Sequence, residues 1–197
     1  MLVTACKQCR REGEKLFLKG DRCIGQKCAV IRKPYVPGFL GAKANARISD
    51  YGKQLREKQK ARRYYQIAEK QFSNYYNASS KKEGNTSEIL WQTLELRLDN
   101  TIRKLVGGIS VRSARQIISH GWTKVNGKKV SIPSYVLKTG DEITISQKNL
   151  KMAAKQSLPK WLTADAKMEK IKVTAIPDMK DVEVPFNISL VIEYYSK

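Results

Sequence analysis

Apolar residues recur at helical spacing through residues 48–76, ISDYGKQLREKQKARRYYQIAEKQFSNYY. Tyr51 and Leu55 are four apart, and Ala61, Tyr65, Ala68, Phe72 and Tyr75 continue in steps of three or four. Ser49 is a good N-cap and Asp50 suits a first turn. The pattern predicts one long helix with an apolar face. Between the apolar positions lie Lys53, Arg56, Lys58, Lys60, Arg62 and Arg63, while Glu57 is the only acid from Tyr51 to Gln66. Most of these cations therefore lack a partner within the segment, which predicts a helix that turns a cationic face to phosphate.

A polar stretch, ASSKKEGNTSE at 78–88, marks a domain boundary. In the following SEILWQTLELRLDNTIRKLVGG, Leu90, Leu94, Leu98, Ile102 and Leu105 predict a second long helix, capped by Thr86 or Ser87 and stopped by Gly107-Gly108. Ser110 opens a short helix, VRSARQIISH, ended by Gly121. Its Val111, Ala114, Ile117 and Ile118 share one face, and Arg112, Arg115, Gln116 and His120 lie on or near the other. Alternation around Asn126-Gly127 predicts a hairpin with strands Trp122–Val125 and Lys128–Ile132. Tyr135–Leu137 and Glu142–Ile145 predict two more strands around a turn at Lys138–Asp141. Further on, Pro159–Leu162 starts a small helix or an anchoring loop, and IKVTAIP, VEV and ISLVIEYYS predict strands.

The expected fold class is α+β in four regions. A metal knuckle with an irregular Pro/Gly connector (1–45) precedes a helical region (46–86). A small helix–helix–sheet module (87–150) and a short strand-containing C-terminal segment that packs back on the body (151–197) follow.

Charge sharpens the functional reading. The 197-residue chain carries 38 Lys+Arg against 18 Asp+Glu, a net +20. The excess is +12 over residues 1–63 and +7 over 97–130, with near balance elsewhere. Two basic blocks of this kind suit a polyanion, nucleic acid before a membrane surface. No run of about 18 apolar residues would span a bilayer, and the first residues, MLVTACKQCRR, lack the apolar core of a secretory signal. A cytosolic location is expected, where clustered cysteines bind metal more often than they form disulfides. No segment after residue 150 is large enough for a catalytic domain, and no catalytic motif is present, so the chain is not expected to be an enzyme.

All four cysteines fall in CKQCRREGEKLFLKGDRCIGQKC, spaced Cys6-x2-Cys9-x13-Cys23-x4-Cys28. Two close thiol pairs suit a closed, structural, four-thiolate zinc site, one per chain. They equally suit an iron–sulfur cluster, and unmetallated thiols remain a third reading. Surrounding Lys and Arg lower thiol pKa values and offset the charge of a zinc tetrathiolate.

LELRLDNTIRKL followed by VRSARQIISHGWTKVNGKKVSIPSYVLKTGDEI resembles a small RNA-binding module shared by a ribosomal protein, pseudouridine synthases, some aminoacyl-tRNA synthetases and a heat-shock protein. With ISDYGKQLREKQKARRYY, RREGEKLFLKGDRC and the closing VIEYYSK, the chain resembles the bacterial small-ribosomal-subunit protein four family in its zinc-knuckle form. The resemblance implies a structural constituent of the small ribosomal subunit. Such a protein binds small-subunit rRNA directly and early in assembly, touches neighbouring ribosomal proteins, lies near incoming messenger RNA and affects translational accuracy. One copy per ribosome is implied, without homo-oligomers or membrane, in the cytoplasm or an organelle's matrix or stroma. The alternative is a stand-alone RNA-binding regulator or chaperone.

By the same resemblance, Cys6, Cys9, Cys23 and Cys28 would hold zinc. Arg10, Arg11, Lys15, Lys19 and Arg22 fall in the matching basic loop. Gln54, Arg56, Lys58, Lys60, Arg62 and Arg63 match an RNA-facing helix, to which Arg47 and Lys53 add. Arg112, Arg115, Gln116 and His120 match the recognition helix, with Arg97 before it and Lys124, Lys128 and Lys129 on the hairpin. Tyr51, Tyr64 and Trp122 are candidates either for base stacking or for the core.

Overall fold

A computed structural model describes residues 4–39, 41, 48–146, 158–165 and 170–196. The chain divides into two compact units, one of residues 1–87 with 184–197 and one of residues 88–183. The segment 151–197, expected as one piece, is thus shared between them.

In the first unit, α1 (Ala5–Glu12) leads to a 3-10 turn at Gly20–Cys23 and a single helical turn, α2 (Ala29–Arg32). Leu16 and Leu18 pack with Cys9, Ala5 and Val30 in a small local core. The expected long helix is two. The first, α3 (Asp50–Tyr64), is capped by Ser49, whose hydroxyl accepts from the Gly52 N–H at 3.2 Å. Gln66 adopts φ 51°, left-handed backbone that breaks the ladder, and α4 (Glu69–Ser80) restarts after it.

The closing ISLVIEYYS is helix, not strand. It forms α8 (Ile188–Tyr195), with Asn187 capping the Ser189 N–H at 2.9 Å. Its β-branched and aromatic residues favour strand, but tertiary packing overrides propensity. Ile188 and Val191 are buried, Tyr195 stacks on Tyr76 at 4.9 Å, and Phe186 meets Tyr64 and Tyr65 at 5.9 Å.

In the second unit, the predicted helix over 87–108 is again two, α5 (Thr86–Glu95) and α6 (Leu98–Leu105). Between them Arg97 is extended and bridges to Val136. Leu98 N–H donates to Tyr135 O at 2.8 Å, and Leu137 N–H to Leu96 O at 2.9 Å. The residues expected to form a strand at 135–137 pair instead with this interhelical link. Ser110 caps α7 (Val111–Ser119), its hydroxyl accepting from Ser113 N–H at 3.1 Å.

Five short antiparallel strands follow: β1 (Thr123–Val125), β2 (Lys128–Lys129), β3 (Glu142–Ile145), β4 (Leu162–Ala164) and β5 (Lys170–Val173), in the order β2-β1-β3-β5-β4. Asn126 (φ 50°) and Gly127 (φ 76°) make the hairpin turn, both in the left-handed region that this tight turn demands. The second hairpin strand is shorter than the expected 128–132, and VEV at 182–184 is not a strand. Trp161 is buried just before β4, so Pro159–Leu162 anchors rather than forms a helix. On the inner face, Val125, Ile143, Ile171, Val173, Leu162 and Ala164 pack on Leu98, Ile102 and Leu105 of α6 and Ala114, Ile117 and Ile118 of α7.

No described helix is long and apolar enough to cross a membrane.

Candidate nucleic-acid interface

The cations divide into those held inside the protein and those presented outward. The α3 set is mostly of the first kind, a correction to the expectation that these side chains lack partners. Lys58, 3% exposed, sits 2.7 Å from Glu69, with its ammonium over the Tyr194 ring at 4.7 Å. Lys60, 7% exposed, reaches Glu57 at 2.7 Å and Glu14 at 3.1 Å. Gln54, 8% exposed, donates to Glu193 at 2.8 Å. These three are buried and engaged by partners within the protein. Arg56 and Arg63 converge on Glu12, the former at 3.5 Å, and Arg62 lies 3.6 Å from Glu69. These three arginines stay partly exposed and present an edge to solvent. Lys53 is exposed beside Asp50 at 2.9 Å. Arg47 lies outside the described residues.

The electrostatics follow from the geometry. Burial raises the Glu12 carboxyl pKa, against the pull of Arg63, Arg56, Lys60 and Arg11. At Glu69 burial also acts upward, but hydrogen bonds from Lys58 and Tyr195 and the charges of Lys58 and Arg62 outweigh it, and the carboxyl is depressed. For Lys60 burial acts downward and the hydrogen bonds to Glu57 and Glu14 prevail, holding the ammonium charged.

Around the cysteines the picture reverses. Arg11, Lys19 and Arg22 are exposed, as are Lys7, Lys27 and Arg32, and Lys15 is half-buried. Arg10 is engaged in structure: its Nε donates to the Lys33 and Tyr35 carbonyls, both at 3.0 Å, and its guanidinium covers the Tyr35 ring. A cavity of about 280 Å³ opens between Lys7, Gln8, Arg11, Pro37, Gly38 and Arg63.

Cys6, Cys9, Cys23 and Cys28 are free thiols that line one small cavity edged by Lys19, Arg22 and Lys27. Cys23 accepts a backbone hydrogen bond from the Lys19 N–H at 3.4 Å, and the backbone of Leu16 and Leu18 beside Cys9 partly offsets the effect of burial on that thiol. Burial pushes the Cys9 and Cys23 thiols up. Among the described residues, no three His, Cys, Asp or Glu side chains form a group that could hold a metal ion as placed.

In the second unit Arg97 is a further correction. It is 2% exposed and holds Asp99 in a two-pronged pair, Nε to Oδ1 at 3.0 Å and an Nη to Oδ2 at 2.8 Å. Arg115, half-buried, adds a third bond to the same carboxylate at 2.8 Å. Arg112, Gln116 and His120 are exposed along α7, and His120 meets the half-buried Trp122 edge-on at 4.9 Å.

Lys124, Lys128 and Lys129 are exposed. Lys129 faces Lys124, Lys124 faces Thr144, and Thr144 faces Lys170, so one row crosses four strands on the sheet's outer side. Gly121 (φ 74°) makes room for this row, because a Cβ there would come 1.9 Å from the Lys129 Cε. Lys170 was missed from sequence because its strand lies 25 residues beyond Ile145 and nothing local joins it to the hairpin.

Of the aromatic candidates, Tyr64 is core, Trp122 packs partly on the core, and Tyr51 is 54% exposed beside Tyr194.

Comparison with known proteins fits this arrangement. A family profile described as the ribosomal protein S4/S9 N-terminal domain matches residues 4–95, and one described as the S4 domain matches residues 96–143. The chain is 48% identical to the small ribosomal subunit protein uS4 of Acetivibrio thermocellus, covering 98% of this chain and 97% of that one. It is 45% identical to uS4 of Thermus thermophilus and 48% identical to uS4A of Clostridium perfringens, each alignment covering 98% of this chain and 96% of the relative.

Proposed function

Because the chain belongs to the uS4 family of small-ribosomal-subunit proteins, we propose that it is a constituent of the small ribosomal subunit that binds that subunit's rRNA directly. The family is one of ribosomal proteins, not of enzymes. Full-length similarity to uS4 chains is the observation that carries the reading. The exposed cations give it a mechanism. Side chains of the knuckle, of α7 and of the sheet row replace counterions on RNA phosphates, so binding weakens steeply with salt. Folded RNA offers phosphates, 2′-hydroxyls and shape to such surfaces, and unstacked bases to aromatic or guanidinium planes.

The reading extends to an early role in assembly, to one copy per subunit beside other ribosomal proteins, and to a position near incoming messenger RNA that influences accuracy. Sedimentation tests it. The chain in cell extract should travel with small subunits and survive moderate salt washing. A stand-alone RNA-binding regulator would remain in the light fractions.

The same reading assigns one structural zinc to Cys6, Cys9, Cys23 and Cys28. Support comes from the shared cavity of four free thiols and from the Lys19 backbone N–H that donates to Cys23. Four thiolates around zinc carry a net negative charge that such an N–H and the nearby Lys19, Arg22 and Lys27 offset. Metal analysis of anaerobically purified protein should find one zinc per chain and no visible absorbance. Iron with brown colour would mean a cluster instead.

A further inference from the structure

Phe17 is the outlier of the knuckle. It is a bulky L-residue at φ 50°, a conformation otherwise suited to glycine or asparagine, and the residue is 44% exposed. The neighbouring geometry explains the backbone. Leu16 and Leu18 both bury their side chains beside Cys9 in the small core of the knuckle. Burying both neighbours in that core leaves the intervening residue in the left-handed region with its side chain outward. Asparagine would satisfy that backbone at less strain. Nothing in the fold therefore requires a ring here.

The ring's surroundings indicate what it meets. Lys15 and Lys19 flank it in sequence, Arg22 follows on the 3-10 turn, and the exposed Lys7, Arg11, Lys27 and Arg32 elsewhere on the knuckle leave cations well in excess of the exposed acids Glu14 and Asp21. An apolar protein surface would have to dock against this charge. A polyanion with flat apolar faces satisfies both features. We propose that Phe17 stacks on an unpaired nucleobase of the RNA that the knuckle's cations hold, a refinement that rests on the RNA-binding reading above. The loop is pinned by the Lys19 N–H, which donates to Cys23 at 3.4 Å, by the burial of Leu16 and Leu18, and by Gly20 N–H, which closes the turn on Phe17 O at 3.3 Å. The ring is thus presented on a preformed loop with little ordering left to do on binding.

The test uses the full-length protein and a transcript of the small-subunit rRNA. Phe17→Asn should lose about tenfold in affinity, the scale of one base–aromatic stack, with no loss of thermal stability. The slope of log affinity against log salt should not change, because no cation is removed. Phe17→Leu, which keeps apolar bulk without a π face, should lose affinity similarly, while Phe17→Tyr should stay within about twofold of the parent. Parental affinity in both Phe17→Asn and Phe17→Leu would overturn the stacking role and leave the RNA-binding reading intact. Failure of the parent chain to bind the transcript in a salt-dependent way would instead overturn the underlying reading, and the stacking role with it.

Discussion

Lys124 and Lys129 stand opposite one another across β1 and β2, two exposed like charges in register. Such a cross-strand pair destabilises a free protein by about 0.2–1 kcal/mol. It is favourable only when a polyanion lies over it. Lys124→Gln should therefore act in opposite directions on the two states. The isolated protein should gain a few tenths of a kcal/mol in chemical denaturation, while rRNA affinity falls and its salt slope drops by about one counterion.

Lys58 provides the contrast. It has the charge of an RNA ligand but is held between Glu69 and the Tyr194 ring. Lys58→Ala should lower stability by about 1–3 kcal/mol, since it strips a hydrogen bond to a charged group from a largely buried site. The salt slope of RNA binding should be unchanged. A reduced slope at preserved stability would show that Lys58 reaches phosphate.

Glu69 also sets a pH dependence. It gathers Lys58, Arg62 and the Tyr195 hydroxyl, which donates to it at 2.8 Å, and its carboxyl is depressed. Its stabilising contribution is complete above the unfolded value of about 4.3 and is lost as pH falls through the lower folded value. Below about pH 4, amides of residues 188–195 should exchange faster. Glu69→Gln should bring part of that loosening to neutral pH, and equal exchange in the parent and this variant at neutral pH would contradict the assignment.

The buried Arg97–Asp99 pair makes a different demand. Arg97→Ala leaves a carboxylate that is 1% exposed with Arg115 as its remaining arginine partner in this cluster. Breaking one side of a buried pair costs about 3–5 kcal/mol. The loss should appear as early melting of the second unit in denaturant. Lysine should not restore it, because it cannot reproduce the two-pronged geometry.

Local chemistry was legible from sequence where short-range signals decide structure. The Asn126-Gly127 turn, the Ser49 and Ser110 caps and the inward face of α7 all follow from residues within one or two turns of each other. Long-range partners were not. From outside the helix, Glu12, Glu14 and Glu69 engage α3 cations, and Glu193, 139 residues away, accepts from Gln54. No local pattern announces them, so a paired face read as an open one. The break at Arg97 was hidden in the same way, since its carbonyl and N–H partners come from residues 135–137. Across the cationic surface, residue type pointed to the class of partner that the family supports, while tertiary structure sorted exposed cations from engaged ones.

The central claim is that this chain holds small-subunit rRNA through cations presented by the knuckle, α7 and the sheet. The most direct measurement is the affinity of the purified protein for a small-subunit rRNA transcript across a salt series, beside the triple change of Lys124, Lys128 and Lys129 to glutamine. The account predicts a steep linear fall of log affinity with log salt and a shallower slope, by about two to three counterions, in the variant. A flat salt dependence in the parent, or identical slopes in both proteins, would contradict it.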